Sequence, residues 1–396
     1  MKIILATLLL ILIIELVIYL LVKKISLSKW ILTKDRLVDK YRFNKFKIKN
    51  YNEYLGWDKK SNSKDYDITN NRKVSYSISK KGFRKTKFHR YKNTIATFGD
   101  SYTFCRESSD NNTWQEQLSK KQKKFVSNYG VGNYGLDQAY LKFKKTKLKS
   151  DTKVVVFGIV PETICRIQSV WKNYLEFGNT NGFKPYCILR GKKLVIKKNL
   201  LKNNHEYNDL AIIISKIKKI DRFYSDKYTK HQLIFPYSFH FLKNFYFNLQ
   251  IVGIFFSLFL RKKTNKKNMD KKFFPQVMKS NILNSHRLYN EFYSKHLLGS
   301  LLNHINNDVI KNKKKCIFVF FPQLFDLKLH TRVHYQTFLH KHKNKLNIID
   351  LTNEFLDIKS YKKYFISDKY GGHLNNKGNK FVATILNNIL NNERNL

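Results

Sequence analysis

The stretch that most constrains the fold is Thr94-Ile95-Ala96-Thr97-Phe98-Gly99-Asp100-Ser101. A short apolar run rich in β-branched residues reads as a strand buried on both faces, the environment of a parallel sheet. Gly99 permits a tight turn at the end of that strand. Ser101 is then left at the carboxyl end, where open α/β sheets place their chemistry. Shortly after, Thr113-Trp114-Gln115-Glu116 has the form of a capping box, with Thr113 as N-cap and Glu116 at the third helical position.

The same rhythm continues along the chain. A second strand is predicted over 124–128, running into Asn128-Tyr129-Gly130-Val131-Gly132-Asn133-Tyr134-Gly135-Leu136-Asp137-Gln138. Three glycines in a strand-to-helix turn let backbone N–H groups converge on an anion without Cβ obstruction. A helix from about 136 to 147 leads to a third strand over 153–158, followed by Gly158-Ile159-Val160-Pro161-Glu162-Thr163-Ile164-Cys165-Arg166. Glu162 and Arg166 read equally well as cleft residues and as a surface ion pair. Further on, a helix is expected around 284–303, then strands over 316–321 and 347–351. Pocket residues are expected among Pro322-Gln323-Leu324-Phe325-Asp326. A terminal amphipathic helix should turn Val382, Ile385, Leu386 and Ile389 inward.

Phe98-Gly99-Asp100-Ser101 resembles the first signature block of the SGNH/GDSL hydrolases, whose serine is the nucleophile of acyl-ester chemistry. Asn128 to Gln138 resembles the second block, which implies that the amides of Ser101 and of Gly132 or Asn133 line an oxyanion hole. Ser367-Asp368-Lys369-Tyr370-Gly371-Gly372-His373, on a loop before the last helix, resembles the final block and implies His373 as general base. Two departures stand out. The asparagine of the family's third block is absent after Gly158. The usual aspartate three residues before the histidine is replaced by Tyr370, so Asp368 becomes the candidate orienting acid, with Asp350, Asp357 or a backbone carbonyl as alternatives.

The resemblance covers about 93–166 and 315–390. It implies a three-layer α/β/α sandwich with a mostly parallel, flavodoxin-like sheet. It also implies a serine esterase that cleaves small acyl esters, acetyl groups on a surface carbohydrate being one class. The alternatives are transfer of an acyl group to a glycan, or an inactive member that binds glycan. The chemistry calls for no cofactor and no metal.

The flanking sequence divides the chain into an anchor (1–24), a basic approach segment (25–92) and the catalytic domain (93–396), with an insertion at about 170–314. Residues Ile3 to Val22 are nearly all apolar and long enough to span a bilayer, with Glu15 inside the run. Lysines after the span favour a cytoplasmic body, whereas the family resemblance favours an extracytoplasmic one. The islands Leu55-Gly56-Trp57-Asp58 and Gly82-Phe83-Arg84 read either as cleft contacts or as ordinary surface packing. The run Phe245 to Leu260 reads as a lid or interfacial helix over a second span.

The net charge of +48 raises nucleic acid and anionic lipid as partners. The lysines, however, accompany equally heavy use of Asn, Ile, Tyr and Phe, a pattern of A/T-rich coding. No nucleic-acid module stands in the sequence, so none is expected as a partner. Cys105, Cys165, Cys187 and Cys316 lack paired metal spacing.

Overall fold

The computed structural model describes residues 2–25, 44–46, 49–69, 72–92, 94–177, 182–203, 209–264, 266–329, 334–366, 370 and 372–392. The chain opens with a 24-residue apolar helix, α1 (Lys2–Ile25), long and apolar enough to cross a membrane. An antiparallel hairpin follows, β1 (Ser63–Thr69) with β2 (Arg72–Ile78). Strand β3 (Ile95–Gly99) and helix α2 (Trp114–Gln122) come next, then β4 (Val126–Asn128), α3 (Leu136–Lys145) and β5 (Val154–Ile159). Among the described residues of the predicted insertion are a hairpin of β6 (Tyr186–Arg190) and β7 (Lys193–Lys197), and helices α4 (Tyr237–Lys243), α5 (Phe245–Leu260) and α6 (Lys266–Leu288). The chain closes with α7 (Phe292–Lys311), β8 (Lys315–Phe320), β9 (Ile348–Asp350), a short pair β10 (Phe365–Ile366) and β11 (His373–Leu374), and α8 (Asn376–Asn392).

Five strands form one parallel sheet in the order β9-β8-β5-β3-β4. Counted along the chain this is the doubly wound order 2-1-3-4-5, with its switch point between β3 and β5. Alternation along each strand explains why both faces are covered. Ala96, Phe98, Val155, Phe157, Cys316, Phe318 and Phe320 join one apolar cluster with Ala139 and Phe143 of α3 and Leu298 and Leu302 of α7. Ile95, Val156, Ile317 and Val319 point the other way, into a cluster with Trp114 and Leu118 of α2 and Val382, Ile385 and Leu386 of α8. The sheet is therefore the middle layer of three, as the apolar runs require.

Three local expectations are corrected. The helix expected around 284–303 is two, α6 and α7. They break where Tyr289 is drawn into the core, its hydroxyl donating to Pro161 O at 2.7 Å, and where Arg222 holds Glu291 at 2.5 Å. The box at Thr113 is half formed. Thr113 Oγ1 accepts from Glu116 N at 3.1 Å, while the Glu116 carboxylate turns away to accept from Thr86 Oγ1 and Lys87 N. His373 lies in the short strand β11 rather than in an open loop.

Candidate active site

The turn after β3 is built by Asp100. Its Oδ1 accepts from Tyr102 N at 2.9 Å, capping the short helix Ser101–Phe104, and its Oδ2 accepts from Val160 N at 3.0 Å at the end of β5. Asp100 therefore ties the two strands that flank the switch point. Gly99 is required by space: a β-carbon there would stand 1.8 Å from Gly158 O. Thr103 Oγ1 fills the remaining gap and donates to the same carbonyl at 2.7 Å.

Ser101 is thereby held at the carboxyl end of β3 with 7% of its surface exposed, and its Oγ lies 2.9 Å from His373 Nε2. The two residues are 272 positions apart in the chain. The imidazole is fixed from one side by the Tyr102 ring, whose centroid is 5.1 Å away and whose hydroxyl donates to Gly372 O. From the other side, Glu107 Oε1 stands 4.0 Å from His373 Nδ1, with the glutamate side chain fully buried. At that distance the contact is electrostatic, since hydrogen bonds of this type close to about 3 Å. Asp368 and Gly371 lie outside the described residues.

The glycine-rich turn after β4 wraps the same pocket. Val131 N donates to Gly99 O at 2.9 Å, Gly132 O accepts from Trp57 Nε1 at 3.1 Å, and Asn133 adopts a left-handed backbone with φ of +68°. Asparagine tolerates that conformation better than other non-glycine residues. Its Oδ1 accepts from Lys172 Nζ at 2.6 Å, which fixes the peptide that follows Gly132.

Beneath the site lies a buried charge network. Arg166 Nη1 faces Asp100 Oδ2 at 3.4 Å and donates to Tyr134 O at 3.1 Å, and Nη2 meets Glu162 Oε2 at 2.8 Å. Lys172 Nζ meets Glu176 Oε1 at 2.7 Å. Burial opposes the charge on Glu162, but Arg166 and Lys172 beside it hold its carboxyl down at about 2. Burial pushes the Glu176 and Asp100 carboxyls up. The surface ion pair considered for Glu162 and Arg166 is thus ruled out: both are at least nine-tenths buried.

These elements enclose one cavity of about 280 Å³, lined by Ser101, Gly132, Asn133, Arg166, Lys172 and His373 together with Trp57, Gln323 and Tyr370. The structure brings together Ser101, His373, Gly132 and Asn133. Of the pocket residues expected after β8, Gln323 reaches the cavity, whereas Asp326 instead pairs with His286 at 2.7 Å. Sequence reasoning missed Glu107 and Lys172. Between the short helix and Glu107 the chain turns at Cys105, which takes a left-handed φ of +56° that no residue type there announces.

No family model matches the sequence, and no curated protein matches it. Among solved structures, the fold is similar to a protein described as lipolytic, of the G-D-S-L family, from Desulfitobacterium hafniense. The TM-score is 0.33 at 10% identity, over 75% of this chain and 99% of that one. A member of the lipolytic G-D-S-L family from Veillonella parvula gives 0.32 at 9% identity, over 74% and 94%. Overlaps this low assign no residue a role, and the functional reading rests on the geometry of the cavity.

Proposed function

We propose that the chain is a serine-dependent hydrolase of short acyl esters. The observation that carries this reading is the 2.9 Å approach of Ser101 Oγ to His373 Nε2 at the switch-point crevice. A nucleophile and base within hydrogen-bond reach, with the base braced from behind, is the arrangement acyl transfer needs. His373 Nε2 takes the hydroxyl proton as Ser101 Oγ bonds to the ester carbonyl carbon. The oxyanion so formed is met by backbone amides of Ser101 and of Gly132 or Asn133, each worth about 3 kcal/mol in known sites. Collapse breaks the carbonyl-to-alcohol bond, and the departing alkoxide takes the proton from His373. Water, activated by the same imidazole, then releases the acid.

Asp368 is the proposed orienting carboxylate of His373, with the buried Glu107 carboxyl standing beside the imidazole. The cavity of about 280 Å³ favours a small acyl group over a long chain. Helix α1 is proposed to anchor this activity to a membrane, which suits a substrate carried at a cell surface.

The test is release of p-nitrophenol from its acetate, together with labelling by a fluorophosphonate, using the full chain in detergent. Turnover should fall by about a thousandfold or more in Ser101→Ala and in His373→Ala, and labelling should vanish in Ser101→Ala. A folded wild-type protein that neither turns over nor labels would refute the esterase and favour a glycan-binding protein.

A further inference from the structure

A carboxylate in the middle of an apolar span is costly unless it is paired. Glu15 of α1 is nine-tenths buried, and it accepts hydrogen bonds from Tyr237 N at 2.6 Å, from Ser238 N at 2.9 Å and from the Ser238 hydroxyl. Those amides are free donors at the start of α4, which a helix always leaves unsatisfied. The Tyr19 and Tyr237 rings meet beside them, with centroids 5.8 Å apart. A residue of the apolar helix therefore caps a helix that lies more than two hundred positions later.

The depth of this contact follows from helix geometry. Glu15 is eight residues before Lys23, about 12 Å along the axis, and Tyr19 is about 6 Å from it. Half of a bilayer's hydrocarbon is about 15 Å thick. With Lys23 at the headgroups, the first turn of α4 lies inside the hydrocarbon of the leaflet next to the catalytic body. There, backbone donors without partners are prohibitive, and the Glu15 carboxylate supplies the acceptor.

Helices α4 and α5 are bent against each other by 105°. At 16 residues α5 is about 24 Å long, too short to cross about 30 Å of hydrocarbon. Its inward face, Asn248, Ile251, Phe255 and Leu258, is buried. Its outward face is mostly apolar, with Tyr246 82% exposed, Phe259 58% and Leu260 80%, and carries Gln250 and Ser257 as its exposed polar groups; on α4 Phe239 is 61% exposed and Leu242 66%. A helix with its second apolar face bare is made for an apolar neighbour. Arg261, Lys262 and Lys263 follow directly and are exposed, as suits anionic headgroups. Lys243 is the exposed titratable group of α4, with a stem long enough to reach the interface, while half-buried His240 lies near Glu15 with its Nδ1 3.1 Å from Pro236 O.

We infer that α4 and α5 form a wedge that enters one leaflet and returns without crossing, locked to the spanning helix by Glu15. Its occupant is lipid hydrocarbon. The inference rests on α1 being a membrane anchor.

The test uses the full chain in vesicles of phosphatidylcholine and phosphatidylglycerol, carrying single cysteines in place of Phe239, Tyr246 or Leu260. Leu10→Cys reports the anchor and Lys313→Cys the aqueous body. The four native thiols are buried and serve as the unlabelled background. With an environment-sensitive dye at each site, spin-labelled lipid should quench Phe239, Tyr246 and Leu260 to the extent seen at Leu10. Iodide should reach only Lys313. If iodide reaches the three wedge sites while Leu10 stays lipid-quenched, the wedge is overturned and the anchor stands. If iodide also reaches Leu10, the anchor itself fails. Access to Leu260 from the vesicle side opposite Lys313 would mean a second crossing and would overturn the wedge too. In Glu15→Leu the Phe239 site should lose its lipid quenching while Leu10 keeps its own; unchanged quenching would refute the lock.

Discussion

Replacing Arg166 with methionine keeps the side chain's reach and removes its charge. In the wild type the guanidinium is 5% exposed and compensates Glu162 at 2.8 Å and Asp100 at 3.4 Å. The variant leaves two buried carboxylates short of their main cation, although Glu162 keeps the amide of Asn281 at 2.5 Å. Breaking a buried ion pair from one side costs about 3–5 kcal/mol. The pH dependence gives this number a signature. Glu162 is held at about 2, below its ordinary 4.5, so in the wild type it contributes roughly 3 kcal/mol that is complete above pH 4.5 and lost as pH falls towards 2. Without Arg166 burial dominates, the carboxyl is pushed up, and the variant instead loses stability as pH rises through 4.5 and above. Both effects widen the gap with rising pH. Urea unfolding followed by tryptophan fluorescence, for both proteins between pH 4 and 8, measures it. The expected gap is about 3–5 kcal/mol at neutral pH, narrower at pH 4 and closing only as pH falls towards 2. A gap below about 1 kcal/mol, or one that stays flat across that range, would refute the account of the network.

Three further outcomes follow from the site and its surroundings. Glu107→Gln replaces the carboxyl 4.0 Å from His373 Nδ1 by a neutral amide; kcat should fall about tenfold or more with KM unchanged, and an unaltered kcat would show that the carboxyl plays no part. Trp57→Phe leaves Gly132 O without its donor and a gap beside Phe46 and Tyr134, so kcat/KM should drop about tenfold and stability by about 1–3 kcal/mol, measured by pairing kinetics with calorimetry; an unchanged kcat/KM would show that the bond does not position the turn. Burial pushes the Lys227 amine down to about 8 from 10.5, so it contributes stability that is complete above pH 10.5 and lost as pH falls through 8. The stability difference between wild type and Lys227→Met should therefore shift in favour of the wild type by roughly 3 kcal/mol from below pH 8 to above pH 10.5, and chemical unfolding at stepped pH would detect its absence.

The sheet was legible because strands buried on both faces write themselves as unbroken apolar runs, as Val154 to Ile159 and Lys315 to Phe320 do apart from the first lysine. The turn that carries Ser101 was legible because Gly99 and Asp100 are each demanded by local geometry. Glu107 and Lys172 were not, since each reaches the site through the path of a long connection rather than through periodicity. The two islands of the approach segment are settled by contact: Trp57 and Asp58 line the cavity, and Arg84 is buried against the turn that follows the short helix Ser101–Phe104. The meaning of Glu15 was beyond any local reading, because its partners lie on α4.

Arg84 has a practical consequence for anyone who would cut this protein. Its guanidinium donates to Phe104 O, Cys105 O and Ser108 O and pairs with Asp110 at 2.7 Å, and its backbone pairs with Asn128 at the sheet edge. A chain begun at position 93, where the regular α/β rhythm starts, would strip three carbonyls just after Ser101 of their donor and open an edge strand to solvent. The residues before the sheet are thus a detached wall of the same room. By its contacts, the segment carrying Trp57 and Arg84 belongs with the sheet it closes.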